Sequence, residues 1–107
     1  MRAVDVYSRY FRAEAEFAGV KRNGAAVKLT AESEGGFITY IASVSFFPHV
    51  TDDDFAVSCD AFLSAEIYRA KGRRSAKREA ALEETLRGVI DGLAEGHGAA
   101  VKWDEPL

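Results

Sequence analysis

The chain has 107 residues, 48% hydrophobic and 29% charged, a balance that fits one globular domain and leaves little for a separate functional module. No apolar run approaches the ~20 residues that cross a bilayer as a helix, and the N-terminal MRAVDVYSRY lacks the apolar stretch of a signal peptide, so a cytoplasmic protein with no membrane span is expected. A single cysteine, Cys59, excludes an internal disulfide and a cysteine metal cluster, in keeping with a reducing compartment.

Charge is unevenly spread. The net charge is −3, yet residues 71–78 hold Lys71, Arg73, Arg74, Lys77 and Arg78 without an acid, so the rest of the chain carries −8. Dedicated nucleic-acid binders show the opposite balance, because phosphate contacts supply most of their affinity.

In chain order, RYFRAEAEF alternates Phe11, Ala13, Ala15 and Phe17 against Arg12, Glu14 and Glu16, which predicts a strand from about Tyr10. Residues 3–9 fit either strand or helix. Asn23-Gly24 is the dipeptide that most readily supplies a two-residue hairpin turn, so the chain is expected to reverse there. AVKLTAES then places Val27, Leu29 and Ala31 inward. After Gly35-Gly36, FITYIASVSFF sets Ile38, Tyr40, Ala42, Val44 and Phe46 on one face and Phe37, Ile41 and Phe47 on the other, ending before Pro48.

Beyond the acidic HVTDDD, a fourth strand is predicted from Phe55, with Val57, Cys59, Ala61, Leu63, Ala65 and Ile67 inward and Phe62 and Tyr68 outward. Residues 75–96 carry Leu82, Leu86, Val89, Ile90 and Leu93 at helical spacing, with Ser75 as N-cap and Gly96 as stop. The remaining tail has one short extended piece at residues 101–103.

The helix charges oppose its dipole, with Lys77 and Arg78 in the first turn and Asp91 and Glu95 near the end. A solvated face, an anion at the N-terminus or an antiparallel partner helix would each account for them. Thr85, Gly88, Gly92 and Gly96 form a stripe of small residues, although glycine inside a helix costs about 1 kcal/mol relative to alanine. Such a stripe admits a close backbone, either the chain's own sheet or a partner helix. Combined with the reversed charges it points to helix-to-helix self-association through Thr85, Gly88 and Gly92.

His49 with Asp52, Asp53 and Asp54 reads as a polar loop rather than a cation site, since four groups on one short loop converge poorly. His97 reads as a helix-end residue and Cys59 as a small hydrophobe. No spacing supports a nucleophile with its base, so neither an enzyme nor a cofactor nor a metal is expected.

Two families share local features. KGRRSAKREAALEETL resembles the last helix of a double-stranded-RNA-binding domain, and Pro48-His49 ahead of Phe55 is similar to a loop of that family. This resemblance spans about 35 residues and implies anion binding by Lys71, Arg73, Arg74, Lys77 and Arg78; the extra hairpin at residues 10–34, the longer helix and the acidic body depart from it. LEETLRGVIDGLAEGHGAAVKWDEPL resembles the C-terminal part of SecB-like export chaperones, with Arg87, Val89, Ile90, Leu93, Gly98 and Pro106 at the expected places. The three long strands upstream extend this likeness to residues 25–107.

The SecB resemblance implies an acidic, oligomeric protein that binds unfolded polypeptide along apolar grooves, here lined by Phe37, Ile41, Phe47, Phe62 and Tyr68. The expected architecture is therefore a single α+β domain, a four-stranded antiparallel meander followed by one long C-terminal helix. The expected function is a non-enzymatic, homo-oligomeric, chaperone-like module. The alternative is a nucleic-acid-binding domain acting through residues 71–78.

Overall fold

The computed structural model describes residues 2–17, 19–47 and 61–106. Strands β1 (Arg2–Phe17), β2 (Val20–Glu34), β3 (Phe37–Phe47) and β4 (Ala61–Lys71) form the meander, helix α1 (Ala76–Gly96) follows, and β5 (Lys102–Pro106) ends the chain. All five strands belong to one antiparallel sheet of order β4-β3-β2-β1-β5. The four-stranded expectation is thus corrected to five strands. The tail does not stop at a short extended piece; it returns to pair with β1, setting Ala13 opposite Trp103.

What drives the tail back is Trp103. Its ring packs edge-on against Phe11 at 5.6 Å and lies 6.5 Å from Phe46, while its Nε1 donates to Asp91 Oδ1 at 2.6 Å. A large apolar ring is half-buried against the core and its single donor is satisfied at once. A Schellman turn aims the chain there: Gly98 N–H donates to Glu95 O, Ala99 N–H to Ala94 O, and Gly98 takes φ +76°. The helix ends at Gly96 as expected, and the left-handed residue that turns the chain is Gly98, two positions further on.

One face of the sheet, the inner face, carries the core. Phe11, Val27, Leu29, Ile38, Tyr40, Ala42, Val44, Phe46 and Leu63 are buried beneath Leu86 and Ile90 of α1. The helix crosses this face diagonally. Its start touches β3 and β4 through Glu79–Tyr40 and Arg78–Tyr68, and its end reaches β1 and β5 through Arg87–Phe11 and Asp91–Trp103.

The hairpin expectation at Asn23-Gly24 is also corrected. The chain reverses between Phe17 and Val20, with Gly19 at φ +78°, and Asn23-Gly24 lies inside β2. Gly24 is needed for space rather than for a turn, since a Cβ there would fall within the ring of Phe47, its partner on β3. Moving the turn to residue 19 lets β1 run through residues 3–9 and brings Phe17 against Phe46, with ring centroids 5.2 Å apart.

β2 and β3 pair without a register shift, whereas β1 carries an extra residue near Val6 and another near Ala13–Glu14, and β4 carries one at Glu66–Ile67. β5 carries a further one between Trp103 and Pro106, so every bulge lies outside the regular central pair, where it increases the local twist. The predicted beginning of the fourth strand at Phe55, the His49–Asp54 loop and Cys59 lie outside the described residues.

Candidate interaction surface

The register of the sheet maps its outer face row by row. Phe62, Ser45, Ala26 and Tyr10 lie across β4, β3, β2 and β1, followed by Ser64, Ser43, Lys28 and Ser8. Next come Glu66, Ile41, Thr30 and Asp5, then Arg69, Thr39 and Glu32, and finally Lys71, Phe37 and Glu34. The helix packs against the other face, so these rows have no covering element among the described residues.

Of the five residues predicted to line a groove, four lie on this face, but not side by side. Phe62 is 66% exposed, and Phe47 lies over Gly24 and meets Tyr10 edge-on at 6.3 Å. Three strands from Phe62 in the same row stands Tyr10, itself 58% exposed. It was not among the predicted residues, although its place opposite Phe11 in the alternation already set it outward. Phe37 lies ten residues along β3 from Phe47, roughly 33 Å at strand rise, with Arg69 stacked 4.8 Å above its ring. Ile41 is half-buried between Thr30 and Glu66.

Tyr68 is not on this face. The extra residue in β4 shifts the alternation, so Tyr68 pairs with Tyr40, their rings lie 6.3 Å apart on the inner face, and Arg78 covers Tyr68 at 4.1 Å. Strict period-2 reading places it outside, and one bulged residue reverses that.

The basic stretch divides by use. Arg74 grips Glu79 with two hydrogen bonds, Nε to Oε2 at 2.8 Å and Nη2 to Oε1 at 2.9 Å, and Arg78 stacks on Tyr68. Lys71, Arg73 and Lys77 are exposed. Glu79, only 7% exposed, also accepts from Tyr40 Oη at 2.8 Å, and the Ser75 N–H donates to that same oxygen at 3.3 Å. Ser75 caps the helix as expected, accepting from the Arg78 N–H.

This network pins the helix start to the sheet. Hydrogen bonding from Arg74 outweighs burial and holds the Glu79 carboxyl below the usual carboxylate range; burial is the main reason the Tyr40 hydroxyl is raised. Glu79 was missed in the sequence because a lone acid among five bases reads as surface charge. Its place one turn beyond Ser75, on the apolar stripe with Leu82 and Leu86, was the available signal.

Thr85, Gly88 and Gly92 lie on the solvent side of α1, and a Cβ built on Gly88, Gly92 or Gly96 would meet open space. Close approach to the chain's own sheet therefore does not explain the stripe. A concavity of about 530 Å³ is walled by the mixed charges of Glu14, Glu16, Lys21, Arg22 and Lys102. No helix among the described residues is long and apolar enough to cross a membrane, and no three His, Cys, Asp or Glu residues there are grouped to hold a metal ion.

No protein-family model matches the chain, and neither a curated protein nor a solved structure does.

Proposed function

We propose that this chain is a non-enzymatic, self-associating, chaperone-like module of the SecB kind, which holds unfolded or partner polypeptide on the outer face of its sheet in the cytoplasm. The observation that carries this reading is exposed Tyr10 and Phe62, with half-buried Phe47 edge-on to Tyr10, at one end of a sheet face that no helix covers among the described residues. Rings beside the small residues Gly24, Ala26 and Ser45 offer apolar area without the convergent polar groups of a catalytic pocket, which suits recognition of varied extended segments. Self-association uses the open stripe of Thr85, Gly88 and Gly92, where a second helix can approach closely.

The rival nucleic-acid reading loses support because Arg74 and Arg78 are held by Glu79 and Tyr68. Reduced, carboxymethylated α-lactalbumin serves as a permanently unfolded probe. The protein is expected to bind it and to suppress aggregation of a denatured client, and Tyr10→Ser with Phe62→Ser is expected to abolish both. Unchanged capture by that double variant would remove the outer face from the reading. Gly88→Leu is expected to lower the assembly size seen by light scattering, and no change there would exclude the helix contact.

A further inference from the structure

We propose that the outer face is also a two-fold interface with a second copy of this chain, packed sheet against sheet about an axis running along β3. This goes beyond the reading above and does not depend on polypeptide capture.

The argument is the placement of charge on the two strands beside β3. In successive rows Arg69 and Glu32 flank Thr39, and Lys71 and Glu34 flank Phe37, with both bases on β4 and both acids on β2. Strands two apart are separated by about 10 Å, and among the described residues no ion pair joins Arg69 to Glu32 or Lys71 to Glu34 across β3; Arg69 lies over the Phe37 ring, which it would leave to meet Glu32 of a second copy. A two-fold axis along β3 exchanges the β2 and β4 sides. It sets Arg69 of one copy over Glu32 of the other, Lys71 over Glu34, and Phe37 over Phe37.

The surface there is already concave. Glu32, Glu34, Phe37, Thr39, Ile41, Glu66 and Arg69 border a hollow of about 470 Å³, so the Phe37 rings and Ile41 form an apolar floor inside a charged rim. Further along the same face Ser43, Ser45, Ser64 and Ala26 are small, and the axis sets the protruding Phe62 of one copy over Ala26 of the other, so this packing competes with a polypeptide for the aromatic end. Each copy supplies both signs, so four ion pairs form around the axis, at the rim where they steer and orient the contact. The surface lies opposite the helix stripe, so the two contacts can coexist in one assembly.

Charge exchange tests this without a client. One variant carries Glu32→Lys and Glu34→Lys, the other Arg69→Glu and Lys71→Glu, and circular dichroism checks that both fold. Each alone faces like charge across the axis, and its self-association constant is expected to weaken by about tenfold or more in sedimentation velocity. An equimolar mixture is expected to restore association, because every pair is then opposite again.

The rescue is specific to this axis. An axis across the strands would bring Arg69 towards Glu66 and Glu34 towards Lys28, and mixing the two variants would leave two of its four pairs repulsive, as in each variant alone, so nothing would be recovered. Failure of the mixture to recover, or variants that associate as the wild type does, would overturn the proposal. Failure of polypeptide capture would leave this result standing.

Discussion

Glu79 shows how one buried carboxylate fixes an element. It takes two hydrogen bonds from Arg74 and one from Tyr40, and the Tyr40 oxygen in turn accepts from the Ser75 N–H at the helix cap. Breaking this chain leaves a buried hydroxyl without its acceptor. Glu79→Gln keeps the shape but removes the charge, and should cost about 1–2 kcal/mol of stability near neutral pH, since Arg74 is partly exposed and screened. The sign with pH follows from the lowered carboxyl. Its contribution is complete above the ordinary glutamate range, near pH 4.3, and is lost as pH falls through the lower folded value. The difference in stability between wild type and Glu79→Gln should therefore be flat from pH 8 to about 5 and shrink on further acidification, as denaturant titrations at each pH will show. A difference that grows towards acid would contradict the assignment.

At the scale of elements, the reversed helix charges find local partners. Arg78 in the first turn stacks on Tyr68, and Asp91 near the end accepts from Trp103. Trp103→Phe keeps most of the ring while deleting the donor, and should lower stability by about 1 kcal/mol; Trp103→Ala also opens the space between Phe11 and Phe46 and should cost about 2–4 kcal/mol, with loss of β5 amide protection in hydrogen exchange. The contrast separates the bond from the packing.

These same elements mark what was legible beforehand. Strict alternation in residues 37–47 and the helical spacing of Leu86 and Ile90 fixed the core side of β3 and α1, because burial on one face leaves a periodic trace. The fifth strand left only the short extended piece at residues 101–103, with no sign of its length or its partner. DEP in the tail has little strand character of its own, and only the long-range fit of Trp103 makes it pair. The fate of Tyr68 was hidden for a related reason, since a bulge depends on how two strands meet rather than on either alone. Asn23-Gly24 misled because a glycine required under a neighbouring ring looks, in sequence, like one required by a turn.

Over the whole molecule, two surfaces of different chemistry share one sheet. The Tyr10–Phe47–Phe62 end is aromatic and set among small residues, whereas the Phe37 end is ringed by Glu32, Glu34, Glu66, Arg69 and Lys71. Salt separates what they do. Ion pairs at an exposed rim are screened once the Debye length falls from about 10 Å at 0.1 M to about 3 Å at 1 M, while apolar burial is not weakened by salt. Raising sodium chloride from 0.1 to 1 M should therefore weaken sheet-to-sheet association but leave capture of unfolded α-lactalbumin unchanged or tighter. Duplex RNA gives a third response. If residues 71–78 bound it specifically, affinity would fall by orders of magnitude over that range as counterions are released. Two of the five bases, Arg74 and Arg78, are already engaged by Glu79 and Tyr68, so binding should be no tighter than the ~10⁻⁴–10⁻⁶ M of a non-specific electrostatic complex at physiological salt. Fluorescence anisotropy with labelled RNA and labelled polypeptide, run over one salt series, distinguishes these outcomes. A tight RNA complex lost on Lys77→Glu would assign the protein to nucleic acid, and polypeptide capture that collapses with salt would shift binding from the aromatic end to the charged one.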